Sequence, residues 1–201
     1  MRNPGRGISA VSKETSSRSG RNSSTGQPPP YEIRKSTKIR KNFMEIITNN
    51  SNQTKKLGEF LAKKLKQRAR KRALVLGLKG DLGGGKTTFL QGFAKGLGIK
   101  QKVLSPTFII MRKFQIPKSK FQTNSKSQIA KFKTLYHIDC YRLVRDKEIL
   151  DLGFKEIISD PKNIIAIEWA ERIKKILPKS TIWINFEFID KNKRGIRISK
   201  F

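Results

Sequence analysis

The 201-residue sequence has one cysteine, Cys140, and one histidine, His137. A lone cysteine excludes an internal disulfide framework and any cysteine-rich metal site, and a lone histidine excludes a multi-histidine zinc centre. No apolar run approaches the roughly 20 residues of a membrane-spanning helix, which excludes a transmembrane protein. Acidic residues are also scarce: 15 Asp and Glu stand against 45 Lys and Arg, a formal net charge of +30. Such a charge favours association with polyanions such as RNA, nucleotides or anionic membrane surfaces without selecting among them. The 36% of hydrophobic residues suffices for one ordinary domain with a tail, in a reducing compartment.

Residues 1–43 differ from the rest. They hold ten Lys and Arg, only Glu14 and Glu32 as acids, the run Pro28-Pro29-Pro30 and hardly any large apolar side chains. A segment of this kind cannot bury enough surface to offset its ordering entropy, so it reads as a disordered, dispensable extension. A transit peptide is the competing interpretation, because those are rich in Arg and Ser and poor in acids. The proline run and the missing amphipathic period weaken it. A basic arm touching RNA is a third. The expected location is the cytoplasm, with organellar import the lesser alternative.

From Met44 to residue 201 the pattern alternates strands and helices. Met44–Thr48 reads as a short strand, and Thr54 as the N-cap of a helix with Leu57, Phe60, Leu61 and Leu65 on its apolar face. Ala73–Leu78 is a buried strand running into glycines. Gly85–Leu97 is a helix stopped by Gly98. Phe108–Phe114 and Phe132–Ile138 read as strands around a polar connection, residues 115–131. Lys147–Leu152 is a short helix, Ile164–Ile167 a strand ending at Glu168, and Thr181–Ile189 and Gly195–Ser199 a final strand pair. Strand, glycine loop, helix and then more strands make the fold class α/β.

Gly80-Asp81-Leu82-Gly83-Gly84-Gly85-Lys86-Thr87 matches G-x-x-x-x-G-K-[ST] in full. Glycines let the backbone turn its N–H groups onto phosphate oxygens, and the helix N-terminus beginning at Gly85 adds its dipole. Lys86 supplies a point charge for the β- and γ-phosphates, and Thr87 offers its hydroxyl to Mg²⁺. The match lies after an apolar strand and before an amphipathic helix, where the mechanism requires it.

Such a loop needs an acidic partner. The run Asn163–Ile167 delivers Glu168 at the C-terminal end of a strand, where α/β folds place their ligands. Glu168 either coordinates Mg²⁺, directly or through water, or orients an attacking water. Ser105-Pro106-Thr107 is either a rigid turn or a switch whose Thr107 senses γ-phosphate or Mg²⁺. His137 and Asp139 share a strand face; Asp139 is a candidate for water activation or support of the metal, and His137 alone reads as a structural histidine. Trp169 is a core anchor or an exposed stacking platform, Cys140 a small core residue, and the Lys/Arg runs at 62–72 and 174–179 are solvated faces.

Five motifs in order resemble the TsaE family, the ATPase component of the bacterial machinery that makes threonylcarbamoyladenosine at position 37 of tRNAs. They are Thr54–Ala62 (TKKLGEFLA), Gly80–Thr88, Ser105-Pro106-Thr107-Phe108, His137–Leu143 (HIDCYRL) and Ile167–Glu171 (IEWAE). The resemblance spans about residues 44–200. It implies an α/β fold that is a single compact P-loop NTPase domain with a mixed sheet flanked by helices, with ATP and Mg²⁺ as cofactors and hydrolysis coupled to a threonylcarbamoyl-transferase subunit of the TsaD type and its TsaB-type paralogue. The nucleotide cycle would reset that complex between turnovers, with tRNA reached directly or through the complex. By motif, Gly83, Gly84, Gly85, Lys86, Thr87 and Thr88 would hold the phosphates, and Thr87 with Glu168 the Mg²⁺. Thr54 would lie near the nucleotide, Asp139 would assist hydrolysis, Thr107 would be the switch threonine, and Trp169 would belong to a functional surface. Gly84 departs from the family's usual alanine, which is expected to loosen the loop.

Two rival readings follow. A small nucleotide or metabolite kinase shares the loop but usually closes an arginine-bearing lid over its acceptor; the only candidate lid, 115–131, has four Lys and no Arg. A basic RNA-binding module without enzymatic activity predicts steeply salt-dependent RNA affinity and no effect of ATP. No residue stands out as an arginine finger in cis, so slow hydrolysis by the isolated protein is expected, with a partner completing the site.

Overall fold

Two apolar runs, Leu74–Leu78 and Ile164–Ile167, are too uniformly hydrophobic to face water on either side, and both become central strands of one sheet covered on both faces. The computed structural model of the chain describes residues 32–33, 43–67, 71–117 and 132–199. Its strands are β1 (Glu32–Ile33), β2 (Phe43–Thr48), β3 (Leu74–Gly80), β4 (Met111–Gln115), β5 (Thr134–Asp139), β6 (Asn163–Glu168), β7 (Ile182–Phe188) and β8 (Arg194–Ser199). Its helices are α1 (Ser51–Leu65), α2 (Lys86–Gly96), α3 (Asp146–Leu150) and α4 (Phe154–Ser159), with a 3-10 segment at Ala170–Ile176.

The strand order is β1-β2-β8-β7-β3-β6-β5-β4. Strands β7, β3, β6 and β5 run parallel, and the outer strands join antiparallel, so the sheet is mixed. Side chains alternate between two cores, as a period of two requires. Leu74, Leu76, Leu78, Ile164, Ala166 and Leu135 pack with Leu57, Leu61, Leu65, Phe89 and Phe93 of α1 and α2. Val75, Ile165, Ile167, Ile138 and Cys140 face the other way, onto Ile149, Phe154, Ala170 and Ile173. His137, Asp139 and Glu168 therefore continue the rows that face α1 and α2, and emerge where β5 and β6 end.

Several local expectations are corrected. Asn50, not Thr54, caps α1: its Oδ1 accepts from the Gln53 N–H at 2.9 Å, which frees Thr54 to turn inward onto Thr48. Phe60 is 43% exposed beside the Lys64 ammonium rather than in the core. The strand expected from Phe108 starts at Met111, because Pro106–Ile109 form a turn and Ile110 takes φ +61°. α4 and the 3-10 segment were not anticipated. Of the extension expected to lack structure, Glu32–Ile33 pairs antiparallel with β2 and Phe43 opens β2. The rest of 1–43 lies outside the described residues, as do 118–131 of the polar connection and 68–70 of one basic run. Among the described residues no helix is long and apolar enough to cross a membrane.

Candidate functional site

The glycine loop joins the central strand β3 to α2. Gly80 adopts φ +128°, and a Cβ there would lie 2.1 Å from the carbonyl oxygen of Phe186, so only glycine passes β7 at this point. Gly85 caps α2 at φ +97° with no side-chain acceptor. The first N–H groups of α2 are thus left open to the cleft with the positive end of the helix behind them, an anion site by construction. Gly84 is not a slack position: a Cβ would stand 2.9 Å from the Asp81 carbonyl, whose oxygen accepts from the Gly84 N–H at 3.1 Å.

Lys86 is 5% exposed. Its ammonium donates to the carbonyl oxygens of Gly80 (2.6 Å) and Asp81 (2.8 Å) and sits 3.9 Å from the ring centroid of Trp169. Burial holds the Lys86 pKa below its ordinary value, opposed first by the Glu168 carboxylate and then by Glu171, Asp139 and Asp81. A phosphate is the partner that such a desolvated cation lacks. Thr87, one residue on, donates its hydroxyl to both Glu168 oxygens at 2.9 Å. One hydroxyl and one carboxylate at the mouth of a phosphate loop are hard oxygen donors, the kind of group that could hold a Mg²⁺ ion.

Glu168 and Asp139 end neighbouring parallel strands in register. Both are 3% exposed. Glu168 Oε1 also meets His137 Nε2 at 2.9 Å. Asp139 Oδ2 accepts from the hydroxyls of Ser105 and of Thr107 (2.7 Å), and Oδ1 from the Tyr141 N–H at 2.9 Å. The Asp139 N–H donates to the Ile110 carbonyl at 2.9 Å. One carboxylate thus fastens the whole turn 105–110 to the end of β5. The turn is held in a strained form, since a β-branched residue at positive φ costs about 1–3 kcal/mol.

The cleft measures about 510 Å³ and is walled by Asn50, Ser51 and Thr54 from the start of α1, the glycine loop, Ser105, Thr107, Asp139, Tyr141, Glu168, Trp169, Lys191, Asn192 and Arg194. Thr54, Gly83 to Thr88, Thr107, Asp139, Glu168 and Trp169, the residues assigned to the site from the sequence, all line it, whereas His137 lies behind Glu168 and Cys140 in the core. Trp169 is half-buried: it packs against the core beneath α3 and α4, and it walls the cleft at φ +58° with Tyr141 5.1 Å away. Arg194 went unrecognised. It donates from Nε to the Gly83 carbonyl at 2.9 Å and stacks on Phe188, 4.6 Å from the ring centroid. No local pattern marks it, because its partner lies 111 residues away.

A phosphate loop between a central parallel strand and a helix, with two carboxylates at the ends of the adjacent strands, defines a P-loop nucleotide-binding protein of α/β architecture. Within that class the relationship is specific. The chain belongs to the TsaE family: the model described as "Threonylcarbamoyl adenosine biosynthesis protein TsaE" matches residues 48–196. Proteins named tRNA threonylcarbamoyladenosine biosynthesis protein TsaE are similar to it in Rickettsia felis and Aquifex aeolicus. The first is 40% identical over 150 residues, covering 74% of this chain and 75% of that protein. The second is 35% identical over 156 residues, covering 77% and 94%. The crystal structure of YdiB from Bacillus subtilis superposes with a TM-score of 0.56 at 29% identity, covering 78% of this chain and 84% of that one.

Proposed function

We propose that this chain is a Mg²⁺-dependent ATPase of the bacterial cytoplasm that supports formation of threonylcarbamoyladenosine in tRNA, its hydrolytic cycle resetting a threonylcarbamoyl-transferase between turnovers. The observation that carries the ATPase reading is the Thr87 hydroxyl resting on the Glu168 carboxylate beside the desolvated Lys86. In this reading Gly83, Gly84, Gly85, Lys86, Thr87 and Thr88 bind the phosphates, and Thr87 and Glu168 hold Mg²⁺. Bound there, Mg²⁺ neutralises charge on the transferred phosphoryl group. Thr54 contributes the α1 side of the nucleotide pocket. Asp139 assists hydrolysis by holding Thr107, the switch threonine, at the rim, and Trp169 shields Lys86 from water. The pathway comes from family membership and from the names of the related proteins.

The partners in this reading are a TsaD-type transferase subunit and its TsaB-type paralogue, with tRNA reached through them or directly. The rim supports a protein partner. Phe108 (83% exposed) and Ile109 lie exposed on the turn that Asp139 fastens, and Tyr141, which lines the cleft, and Val144 (86% exposed) on the segment after β5. Large apolar side chains left in water are what a protein partner covers.

The test mixes the full chain with Mg-ATP, the two partner subunits and tRNA, and counts threonylcarbamoyladenosine formed per transferase complex, with wild type and Lys86→Ala. Turnover beyond the first round should require the wild-type chain and stop with Lys86→Ala. Equal product with and without the chain would overturn the pathway assignment. Phosphoryl transfer to a nucleoside monophosphate in excess of free phosphate would install the kinase reading instead.

A further inference from the structure

His137 carries the one buried side-chain polar atom without a hydrogen-bond partner among the described residues, Nδ1. The ring is 1% exposed and sits in the row Leu135–His137–Asp139 that faces α1 and α2. Its register partner on β6 is Ala166, whose single methyl leaves the ring room to reach diagonally to Glu168, two residues on. The contact is between Nε2 and Oε1, at 2.9 Å. A carboxylate can only accept, so the ring proton is assigned to Nε2, and Nδ1 is the lone pair that meets no donor. A histidine kept only to fill a core would not be chosen with one nitrogen unanswered, since an isosteric apolar ring fills the same space without that cost. The return must come through the nitrogen that is bonded.

That return is the aim of Glu168. Oε1 accepts from both Thr87 and His137, whereas Oε2 accepts from Thr87 alone. The two oxygens of one carboxylate are thereby made unequal, and the free lone pairs belong to Oε2. We propose that His137 is a positioning residue for the metal site: by holding Oε1 it fixes the rotation of the Glu168 carboxylate and presents Oε2 to the Mg²⁺ beside Thr87. This rests on the reading of Thr87 and Glu168 as the Mg²⁺ ligands. It makes His137 to this site what outer-layer hydrogen-bond partners are to metal ligands generally, residues whose loss costs about 10- to 100-fold in metal affinity.

The experiment measures affinity of the full chain for a non-hydrolysable ATP analogue by calorimetry, as a function of free Mg²⁺ and in chelator. His137→Gln puts an amide N–H where Nε2 stood; His137→Asn is one methylene too short to reach Glu168; His137→Phe keeps the ring shape without a donor. Wild type and His137→Gln should respond to Mg²⁺ alike. His137→Asn and His137→Phe should need ~10-fold or more Mg²⁺ for half-maximal effect while binding the analogue in chelator as wild type does. Unchanged chelator affinity also reports that each variant is folded, so the Phe variant keeps the test open if Asn disturbs the core. A wild-type Mg²⁺ response in either His137→Asn or His137→Phe overturns the proposal, and so does a His137→Gln shifted as far as they are, which indicates packing. Glu168→Gln separates the layers. If it abolishes the Mg²⁺ response while the histidine variants do not alter it, the metal reading stands and the positioning role falls. If wild type itself does not respond to Mg²⁺, both fall.

Discussion

Gly92→Ala is the perturbation that most directly couples the core to the cleft. Helix α1 crosses α2 along a line of glycines. A Cβ at Gly58 would lie 2.2 Å from the Phe89 carbonyl oxygen, one at Gly96 2.6 Å from that of Glu59, and one at Gly92 1.9 Å from the Lys55 carbonyl oxygen and 2.5 Å from its carbon. The atoms met at Gly92 are main chain, so no rotamer change relieves the contact. The backbone of α1 has to move by about 1 Å, which places the cost at the upper end of overpacking, ~3 kcal/mol. Replacing a helical glycine returns about 1 kcal/mol of propensity, leaving a net loss of about 2 kcal/mol. At 2–4 °C per kcal/mol for a chain of this length, the midpoint of thermal unfolding should drop by about 4–8 °C. The same displacement carries Asn50 and Thr54 away from the glycine loop, so nucleotide affinity should fall as well. Circular dichroism melts with calorimetric ADP titrations check both. A melting point that rises by a few degrees, as helix propensity alone dictates, refutes the close helix crossing and the functional link drawn from it.

Arg194→Ala removes the charge-assisted bond to the Gly83 carbonyl and the stack on Phe188. The cost is about 1 kcal/mol at this exposed site, which should lower the melting midpoint by about 2–4 °C; an unchanged midpoint would show that the glycine loop does not lean on Arg194. Asp139→Ala leaves the hydroxyls of Ser105 and Thr107 and the Tyr141 N–H without their acceptor. It should lower stability by about 2–3 kcal/mol in urea unfolding, and an unchanged midpoint would show that the turn 105–110 holds without it. The Cys140 thiol is pushed up to about 12, first by burial and then by the Asp139 carboxylate. Because the unfolded chain gives up this proton at the ordinary thiol value while the folded chain keeps it, the contribution to stability is level at neutral pH and declines as pH rises from about 9 towards 12. A thiol reagent at pH 8 should leave Cys140 untouched until denaturant is added; prompt labelling of the native chain contradicts its burial.

The parts of the molecule that could be read from the sequence are those in which function or burial leaves a local signature. The loop from Gly80 to Thr87 has a fixed spacing because each residue has a separate task. The strand Asn163–Glu168 shows itself because apolar side chains on both faces have no other use in a short run. Boundaries that depend on competing caps were misplaced. Thr54 is a good N-cap residue by type, but Asn50 lies four residues earlier with its own acceptor, and the inward-facing Thr48 claims the Thr54 hydroxyl. The late start of β4 is a tertiary effect as well. Phe108-Ile109-Ile110-Met111 has the composition of a strand, yet Asp139 pulls Ser105 and Thr107 into a turn and leaves Ile110 at φ +61°. Arg194 was invisible because the residue it serves is on the far side of the sequence, joined only by the sheet order β8-β7-β3. Gly84 suggests a looser loop by residue type, whereas the 2.9 Å approach to the Asp81 carbonyl leaves a Cβ no room without a shift of main chain.

The chemistry of the cleft depends on strand register more than on any single loop. Leu78, Glu168 and Asp139 stand side by side as one row across β3, β6 and β5. Because successive side chains alternate, a slip of β6 by one residue would turn Glu168 away from Thr87 and bring the Ile167 side chain round in its place. The same slip would expose Ile165 and Ile167 to the wrong core, where their partners Ile138, Phe154 and Ile173 are missing. Two isoleucines forced among side chains already packed against α1 and α2 overpack that core at about 1–3 kcal/mol each, so the slipped sheet is disfavoured by several kcal/mol. That exceeds what the two hydrogen-bonding contacts to Glu168 contribute at about 1 kcal/mol each. Apolar packing therefore decides where the carboxylate stands, and the polar contacts of Thr87 and His137 decide only how it is turned. A P-loop protein can for this reason keep its Glu168 beside a buried lysine at the cleft without strong pairing to hold it there.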